Sequence, residues 1–304
     1  MSIFKVFATV VLAANLVSTL AAETHCPGNV ASVPFRLVNR HQIILSVSVN
    51  HTGPYNFLLD TGTQVTTLDP SLAAELHLDT DGEAVVAGLG SRNSAALGQV
   101  DLLEAGSHFV AHQRIMVYDL HNLHASDLVI QGILGEDFLE HFDMLIDNAH
   151  SLLCLDETAA MRAAVKGTHV ALLAPPEAGD ASPLARLPIV EARLTDGMRP
   201  VRLLLDSGAN IPFLYNAPQY MALPLVRSAA LRGSGVDGSQ RVFSPLPPQQ
   251  VKIGSQELSD VAFYTVARAQ QTAHAPAFDG LLTLGLFKRV FIAHADHFAV
   301  LEAR

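Results

Sequence analysis

The chain has 304 residues, which is enough for one large domain or for two lobes of about 100–150 residues each. Its composition, 49% hydrophobic and 16% charged, excludes a chain that is disordered throughout. The net charge of −10, from 19 basic and 29 acidic residues, argues against nucleic acid as a partner. Two cysteines are too few for a disulfide framework or a four-thiolate metal site.

The first 22 residues have the pattern of a signal peptide. Lys5 supplies a basic start, Val6–Leu20 an apolar run, and Ala21-Ala22 the small residues that precede a cleavage point. An uncleaved membrane anchor is the alternative, but the apolar run falls short of the ~20 residues that span a bilayer. We therefore expect residues 1–22 to be removed and the mature protein to be secreted or periplasmic, without a membrane partner.

The two cysteines, Cys26 and Cys154, lie 128 residues apart. Export would permit a disulfide between them, and in the chain-entropy model such a loop contributes about 4–5 kcal/mol. The alternative is that Cys154 is a buried thiol, because it lies within the apolar run Leu152–Leu155. The sequence leaves both possibilities open.

Two segments of the chain share one pattern of predicted strands and turns. Residues 43–62 and 187–208 each read as a strand, a polar turn and a second, apolar strand that ends in an acid. A glycine-containing hairpin and an apolar run with a glycine follow in both. Gly132 lies 72 positions after Asp60, and Gly280 lies 74 positions after Asp206. This agreement indicates an internal duplication.

The duplication divides the mature chain into three parts. We expect an N-terminal lobe over residues 30–156 and a C-terminal lobe over residues 186–304, both mainly β. The stretch 157–185 is rich in Ala and Pro and is predicted to be an inter-lobe connection. A short helix is predicted after Asp69 and another after Asn216, because each precedes a proline near a helix start.

Asp60 and Asp206 each stand where an apolar strand ends, followed by a hydroxyl residue and a glycine. The glycines permit a close backbone approach that a Cβ would block, and the hydroxyls can fix the orientation of the acids. These supporting residues are Thr61, Gly62, Ser207 and Gly208. Two carboxyls about 3 Å apart share one proton, so one can activate a water while the other protonates a scissile carbonyl.

These motifs resemble those of the aspartic protease family. Phe57-Leu-Leu-Asp60-Thr61-Gly62-Thr63 and Leu203-Leu-Leu-Asp206-Ser207-Gly208-Ala209 are similar to its two catalytic motifs, and Ile133-Leu134-Gly135 to its apolar-apolar-Gly element. The compact layout is closer to the retropepsin-like branch than to long pepsins, and the resemblance covers about residues 40–304. It implies a mainly β fold of two homologous aspartic-protease-like β-barrel lobes, related by a pseudo-two-fold with the active-site cleft between them.

The resemblance implies an aspartic endopeptidase with catalytic Asp60 and Asp206, a peptide or protein substrate, and no cofactor or metal. The hairpin tips would be flaps over the substrate, formed by Gly88, Leu89, Gly90, Gly233, Ser234 and Gly235. We expect a monomer whose two lobes pair with each other; a homodimer paired between chains is the alternative. A catalytically silent peptide-binding protein is the other alternative, because Pro212 and Thr283 depart from the family pattern.

Two further motifs carry less weight. Gly233–Gly238 fits G-x-G-x-x-G, but no helix is predicted after it, which disfavours a nucleotide site. His121 and His124, like His294 and His297, have a spacing that could chelate a metal. With 14 histidines in the chain such pairs arise freely, and no Glu-assisted zinc pattern accompanies them. We therefore expect these four to be solvated loop histidines.

Overall fold

The computed structural model describes residues 25–38, 42–87, 92–124, 128–173, 187–215, 217, 231–234, 240–266 and 278–304. Within these ranges the chain is mainly β, as predicted, with three short α-helices beside three sheets. No helix in the described ranges is long and apolar enough to cross a membrane. The signal peptide predicted over residues 1–22 and the helix predicted after Asn216 fall on residues that are not described, Ala217 apart.

The first half of the chain, up to residue 156, contains eleven described strands and two helices. The strands are β1 (Ser32–Val33), β2 (Phe35–Val38), β3 (Gln42–Val49), β4 (Thr52–Leu59), β5 (Thr67–Leu68), β6 (Thr80–Ala87), β7 (Arg92–Ala105), β8 (His108–Val117), β9 (Gly132–Leu134), β10 (Asp143–Asp147) and β11 (Leu152–Asp156). The helices are α1 (Pro70–Glu75) and α2 (Glu136–Leu139). The helix predicted after Asp69 is confirmed as α1, whose first turn is capped by the Asp69 carboxylate, an acceptor from the Ser71 N–H.

The rest of the chain contributes twelve described strands and one helix. These are α3 (Ala160–Ala164), β12 (His169–Ala171), β13 (Ile189–Leu194), β14 (Val201–Asp206), β15 (Phe213–Leu214), β16 (Leu231–Ser234), β17 (Gln240–Pro245), β18 (Gln249–Ile253), β19 (Gln256–Val261), β20 (Tyr264–Val266), β21 (Gly280–Thr283), β22 (Phe287–Ala293) and β23 (Phe298–Ala303). Short 3-10 turns lie at Pro27–Asn29, His121–Leu123 and Leu284–Leu286. The second half, from residue 187, is built from β13 onward.

An eight-stranded sheet in the order β2-β3-β4-β9-β5-β8-β7-β6 forms most of the first half. An additional pairing of β3 with β7 closes six of these strands into a ring. Strand β9 runs parallel to β4, with Gly132 beside Phe57. A Cβ at Gly132 would collide with the Phe57 ring, so the pairing of these two strands requires glycine at this position.

A nine-stranded sheet in the order β16-β17-β20-β15-β21-β14-β13-β18-β19 forms most of the second half. Here β21 runs parallel to β14, as β9 does to β4, and a Cβ at Gly280 would collide with the carbonyl oxygen of Phe213. The strands that lead to Asp60 and Asp206 therefore each lie beside a parallel strand that begins at a glycine. The pseudo-two-fold between the halves stays a prediction.

A third sheet takes strands from both halves, in the order β1-β11-β10-β22-β23-β12. The sequence predicts that 142–155 and 290–301 each close their own lobe, but β10 instead pairs antiparallel with β22, with Met144 opposite Ile292. All five residues of β10 are buried, so this strand needs cover on both faces. The predicted connection 157–185 also contributes α3 and β12, and its remainder from residue 174 lies outside the described residues.

A disulfide links Cys26 to Cys154, with the Cα atoms 5.8 Å apart. Of the two possibilities left open by the sequence, the structure therefore contains the bridge. It attaches the N-terminal end of the described chain to β11 and lies in a small apolar cluster with Met161 and Phe291. In the chain-entropy model this bridge stabilises the fold by about 4–5 kcal/mol, because it encloses a long loop.

Candidate active site

The ends of β4 and β14 bring two carboxyl groups together at the junction of the halves. Asp60 directly follows β4, and Asp206 is the last residue of β14. Only 7% of Asp60 and 8% of Asp206 is exposed, and the two side chains are in hydrogen-bonding contact. The structure thus places residues that are 146 positions apart, as are Thr61 and Ser207, in one shared site.

The two glycines of the motifs make this approach possible. An ideal Cβ at Gly62 would lie 2.8 Å from Cγ of Asp206, and one at Gly208 would lie 2.5 Å from Cγ of Asp60. Each glycine therefore faces the acid of the opposite half. Any side chain at either position would force the carboxyl groups apart.

The two hydroxyl residues tie the two loops to each other. Thr61 Oγ1 donates to the carbonyl oxygen of Leu205 at 2.7 Å, and Ser207 Oγ donates to that of Leu59 at 2.9 Å. Each hydroxyl also accepts a backbone N–H across the site: Ser207 N donates to Thr61 Oγ1 at 3.0 Å and Thr61 N to Ser207 Oγ at 3.1 Å. The hydroxyls therefore bond across the site, as expected, and they reach the backbone beside each acid rather than the carboxyl groups themselves.

Other donors hold the carboxylates themselves. Asp60 accepts the Gly62 N–H at 2.8 Å and the Thr63 hydroxyl at 2.7 Å. Asp206 accepts the backbone N–H groups of Gly208 and Ala209, both at 2.8 Å. Thr63 and Ala209 occupy matching places after the acids, so only Asp60 gains a hydroxyl donor. Sequence reasoning quoted both residues in the motifs but assigned them no role.

Burial raises the pKa of both carboxyl groups above its ordinary value. At Asp60 the hydrogen bonds from Thr63 and Gly62 oppose this rise. At Asp206 the charge of Asp60 adds to burial, and its pKa is held well above the usual range. The pair consequently retains a proton in mildly acidic solution, as two adjacent carboxyls in a poorly hydrated site must.

A buried hydrogen-bond network supports the loop after Asp60. The Thr66 N–H and hydroxyl both donate to the Asp137 carboxylate, at 2.9 and 2.7 Å, and Gly135 N donates to Thr66 Oγ1 at 3.1 Å. A Cβ at Gly135 would lie 2.9 Å from the carbonyl oxygen of Thr63, which explains the glycine of the Ile133-Leu134-Gly135 element. Nothing in the local sequence pattern identifies Asp137 as the partner of Thr66.

The second half replaces this network with different chemistry. Pro212 stands six residues after its acid, where the first half has Thr66, and proline has no N–H that needs a carboxylate partner. Thr283 stands where the first half has Gly135, and its hydroxyl accepts the Gly285 N–H at the start of a 3-10 turn. Both departures from the family pattern leave the donors to Asp206 in place.

Tyr215 is a further residue of this site that the sequence analysis did not single out. Burial and the charge of Asp206 raise the pKa of its hydroxyl. Its ring packs edge-to-face against Phe213, with centroids 4.9 Å apart, and lies 5.9 Å from the ring of Phe278. These contacts place an aromatic wall on the side of the site that Asp206 occupies.

The predicted flaps are described only in part. Gly233 and Ser234 form the end of β16, which pairs antiparallel with β17. The matching hairpin of the first half consists of β6 and β7. Gly88, Leu89, Gly90 and Gly235 lie outside the described residues.

One of the four singled-out histidines is not a solvated loop residue. His294 is only 7% exposed, and its Nε2 lies 3.1 Å from the Glu136 carboxylate. That prediction was wrong for His294, because the sequence cannot show that the loop after β22 is covered by α2. The other three, His121, His124 and His297, are exposed as expected.

Comparison with known proteins agrees with the motifs. Residues 45–138 match the family described as aspartyl protease. A solved retropepsin-like aspartic protease from Rickettsia conorii is 23% identical, covers 41% of this chain and 90% of that chain, and has a TM-score of 0.31. No significant match is found among curated protein sequences. The resemblance seen in the motifs is confirmed by this family match, which spans both Asp60-Thr61-Gly62 and Ile133-Leu134-Gly135.

Proposed function

We propose that the protein is an exported aspartic endopeptidase that hydrolyses peptide bonds with a water held between Asp60 and Asp206. The observation that carries this proposal is the contact between two buried carboxyl groups, each with its own set of hydrogen-bond donors. A purely structural site gains nothing from two adjacent carboxyls, because their mutual repulsion and burial both cost stability.

The hydrogen-bond donors to the two carboxyl groups support a different role for each acid. Asp60 accepts a hydroxyl and a backbone N–H, so it is the acid that ionises first and acts as the general base. Asp206 keeps the shared proton and donates it to the oxygen of the scissile carbonyl. Water attacks the carbonyl carbon and gives its proton to Asp60, which then passes this proton to the leaving amine. Asp206 recovers its proton as the tetrahedral intermediate collapses.

One hairpin in each half supports a peptide as the substrate. The pair β6–β7 and the pair β16–β17 each end in a sheet edge that can add an extended chain through backbone hydrogen bonds. The tips that we propose as flaps carry Gly88, Leu89, Gly90 and Gly235, with Gly233 and Ser234 on the strand below. The hydrolysis needs no cofactor, because the two carboxyls supply both the base and the acid.

Two features support export and a self-contained monomer. The Cys26–Cys154 disulfide fits an oxidising compartment, in line with a signal peptide over residues 1–22. The bonds between Thr61 and Ser207 join the two acids within one chain. We therefore propose a secreted or periplasmic monomer in which one lobe supplies Asp60 and the other supplies Asp206.

Cleavage of a mixed peptide library by residues 23–304 between pH 3 and 7 tests the proposal. Asp60→Asn and Asp206→Asn should each lower kcat/KM at least about 100-fold, because each removes a general acid or base. Asp101→Asn is the matched control, since this aspartate lies exposed on β7, and it should cleave like the wild type. Circular dichroism and thermal unfolding verify that every variant is folded.

The same experiment decides between the enzyme and a silent peptide-binding protein. Folded wild-type protein that cuts no peptide at any pH, yet retains library peptides, would establish the binding protein instead. The departures at Pro212 and Thr283 do not favour that outcome, because the donors to Asp206 remain in place beside them.

A further inference from the structure

A buried acid and a buried histidine meet between the halves, close to the dyad. Glu136 is the first residue of α2 and is fully buried, and His294 follows β22. Glu136 Oε2 lies 3.1 Å from His294 Nε2, and His294 Nδ1 lies 2.6 Å from the carbonyl oxygen of Phe142. The pair therefore joins the first half to the second half through side chains that have almost no access to water.

The hydrogen-bond partners fix where the protons are. A carbonyl oxygen can only accept, so Nδ1 of His294 carries a proton and donates it to Phe142. The Nε2–Oε2 contact then needs one further proton, which either His294 or Glu136 contributes. The other oxygen, Oε1 of Glu136, is buried and has no hydrogen-bond partner among the described residues. A carboxylate left half-satisfied in this way depends on the shared proton for its burial.

The backbone of Glu136 connects this pair to the catalytic loop. Its N–H donates to the carbonyl oxygen of Thr63 at 2.8 Å, and Thr63 is the residue whose hydroxyl holds Asp60 at 2.7 Å. Burial raises the pKa of the Glu136 carboxyl group, and the charge of Asp60 adds to this rise. A displacement of Glu136 would therefore move Thr63, which in turn holds the Asp60 carboxylate.

We propose that Glu136 and His294 are a positioning pair for the Asp60–Asp206 dyad, and that the proton they share keeps the loop 60–63 fixed against the second half. The dyad's catalytic role in this inference rests on the function proposed above. The pair itself touches no substrate, and it acts through the Thr63 backbone. When the shared proton is lost, a buried net charge appears beside Asp60 and the contact between the halves is broken.

The charged groups around Glu136 and His294 determine the pH at which the pair loses its shared proton. Glu136 faces Asp60 and Glu140, and His294 faces Asp143, whose charge is paired with Arg162 at 2.7 Å; Arg162 also binds Asp296. Burial raises the pKa of Glu136. Burial alone would lower the pKa of His294, but the Glu136 charge and the hydrogen bonds raise it above 6.5. Acidic neighbours on both sides thus favour retention of the shared proton.

The sign of the pH dependence follows from proton counts. An unfolded histidine releases its proton near pH 6.5, whereas the folded pair holds it to higher pH. Folding therefore takes up a proton above about pH 6.5, and the stability contributed by the pair declines as the pH rises through the folded pKa of His294. Below about pH 6.5 this contribution is fully present.

Glu136→Gln and Glu136→Ala separate positioning from mere packing. In the glutamine variant a side-chain N–H takes the place of the shared proton and donates to Nε2 of a neutral His294, so the link between the halves remains and kcat at pH 5 should stay within about threefold of wild type. The alanine leaves His294 unpaired and should lower kcat about tenfold with KM changed less than about twofold, because it displaces the Asp60 loop. Above pH 6.5 the wild type should lose stability as pH rises, and the glutamine variant should not.

Asn148→Ala is the matched control. Asn148 also links the halves, donating to the carbonyl oxygens of Leu284 and Phe287, but it does not titrate. Its removal should lower stability at all pH values without changing kcat or the slope above pH 6.5. Nitrogen NMR of His294 and carboxyl-carbon NMR of Asp60 complete the test, and Glu136→Ala should shift the Asp60 titration by roughly half a pH unit or more.

Each outcome decides a separate point. Deprotonation of His294 at its ordinary pKa near 6.5 in the wild type would overturn the proposal, as would a Glu136→Ala variant with normal kcat and a normal Asp60 titration. A wild type that cleaves nothing would defeat the proposed function alone, because the NMR titrations and the unfolding measurements need no substrate. A Glu136→Ala variant that fails to fold leaves the glutamine variant and the wild-type titration to decide.

Discussion

Thr63 and Ala209 follow the two acids at the same distance, yet only Thr63 can donate a hydroxyl. Asp60 therefore has a side-chain donor at 2.7 Å, whereas Asp206 depends on two backbone N–H groups. Hydrogen bonds to the ionised form lower a carboxyl pKa, so this difference adds to the repulsion that keeps Asp206 protonated. The hydroxyl that Thr63 has and Ala209 lacks thus supports the proposal that Asp60 is the base and Asp206 the acid.

Ala209→Ser should reduce the difference in pKa between Asp60 and Asp206. A serine hydroxyl beside Asp206 stabilises its ionised form, so the pKa of Asp206 falls and the alkaline limb of the kcat/KM profile moves to lower pH. The expected movement is about 0.5–1 pH unit, the effect of one hydrogen bond to a charged group after partial solvation. Ala111→Ser, at an exposed position on β8, is the control and should leave the profile unchanged. An alkaline limb that moves to higher pH would contradict the assignment.

The residues of the dyad could be predicted from the sequence, but their supports could not. Asp60 and Asp206 stand out because each ends an apolar strand in a repeated pattern. Thr66 lies in the loop before β5, Asp137 in α2 and Gln113 in β8, and no periodicity connects them. His294 was misjudged for the same reason, since the burial of a loop residue depends on which distant element covers it.

At the scale of elements, α2 and the loop after β4 form one unit. Two residues of α2 hold the loop. The Glu136 N–H donates to the carbonyl oxygen of Thr63 at 2.8 Å, and the Asp137 carboxylate accepts the N–H and the hydroxyl of Thr66. Gln113 on β8 donates to the same Thr66 hydroxyl at 3.3 Å. The apolar-apolar-Gly element could be predicted to lie under this loop, whereas the carboxylate that follows it acquires its role only through the fold.

Asp137→Ala should destabilise the first half by about 2–4 kcal/mol, because it leaves the buried N–H of Thr66 without an acceptor. Asp137→Asn keeps an acceptor oxygen and should cost less than half as much. Burial raises the pKa of Asp137 and so already disfavours its charged form. Loss of the negative charge should therefore contribute less to the destabilisation than loss of the hydrogen-bond acceptor. Urea unfolding at pH 5 measures both. An asparagine variant as unstable as the alanine variant would show that the charge, not the acceptor, holds the loop.

At the scale of the whole molecule, the halves are joined by a sheet that neither can complete alone. Strands β10 and β22 pair along five residues, and β12 pairs with the last strand β23. The sequence predicts β10, β22 and β23 correctly as apolar β segments but assigns β10 to a different lobe from the other two, and it places β12 in the inter-lobe connection. The local pattern predicts that a segment is a strand but does not identify the strand that it pairs with. Pairing within one lobe and pairing between the halves would bury the same apolar residues. The internal duplication therefore remains a prediction about the chain's origin, while the shared sheet is a property of its fold.

Because of this sheet, fragments 25–173 and 187–304 should not fold as separate monomers. Alone, each would expose an apolar strand edge, β10 in one and β22 in the other, and such edges promote association or aggregation. Mixed in equal amounts, they should form a one-to-one heterodimer, because the Thr61–Ser207 bonds and the β10–β22 pairing require both fragments. Its mass should be slightly below that of the mature chain, since residues 174–186 are missing. Gel filtration with light scattering measures this, and a Met144→Asp change on β10 should abolish the heterodimer by placing a charge at a fully buried position of the sheet. A monomeric 187–304 fragment that unfolds cooperatively would instead show that the second half is an independent domain, and the shared sheet would then be a docking surface between two finished lobes.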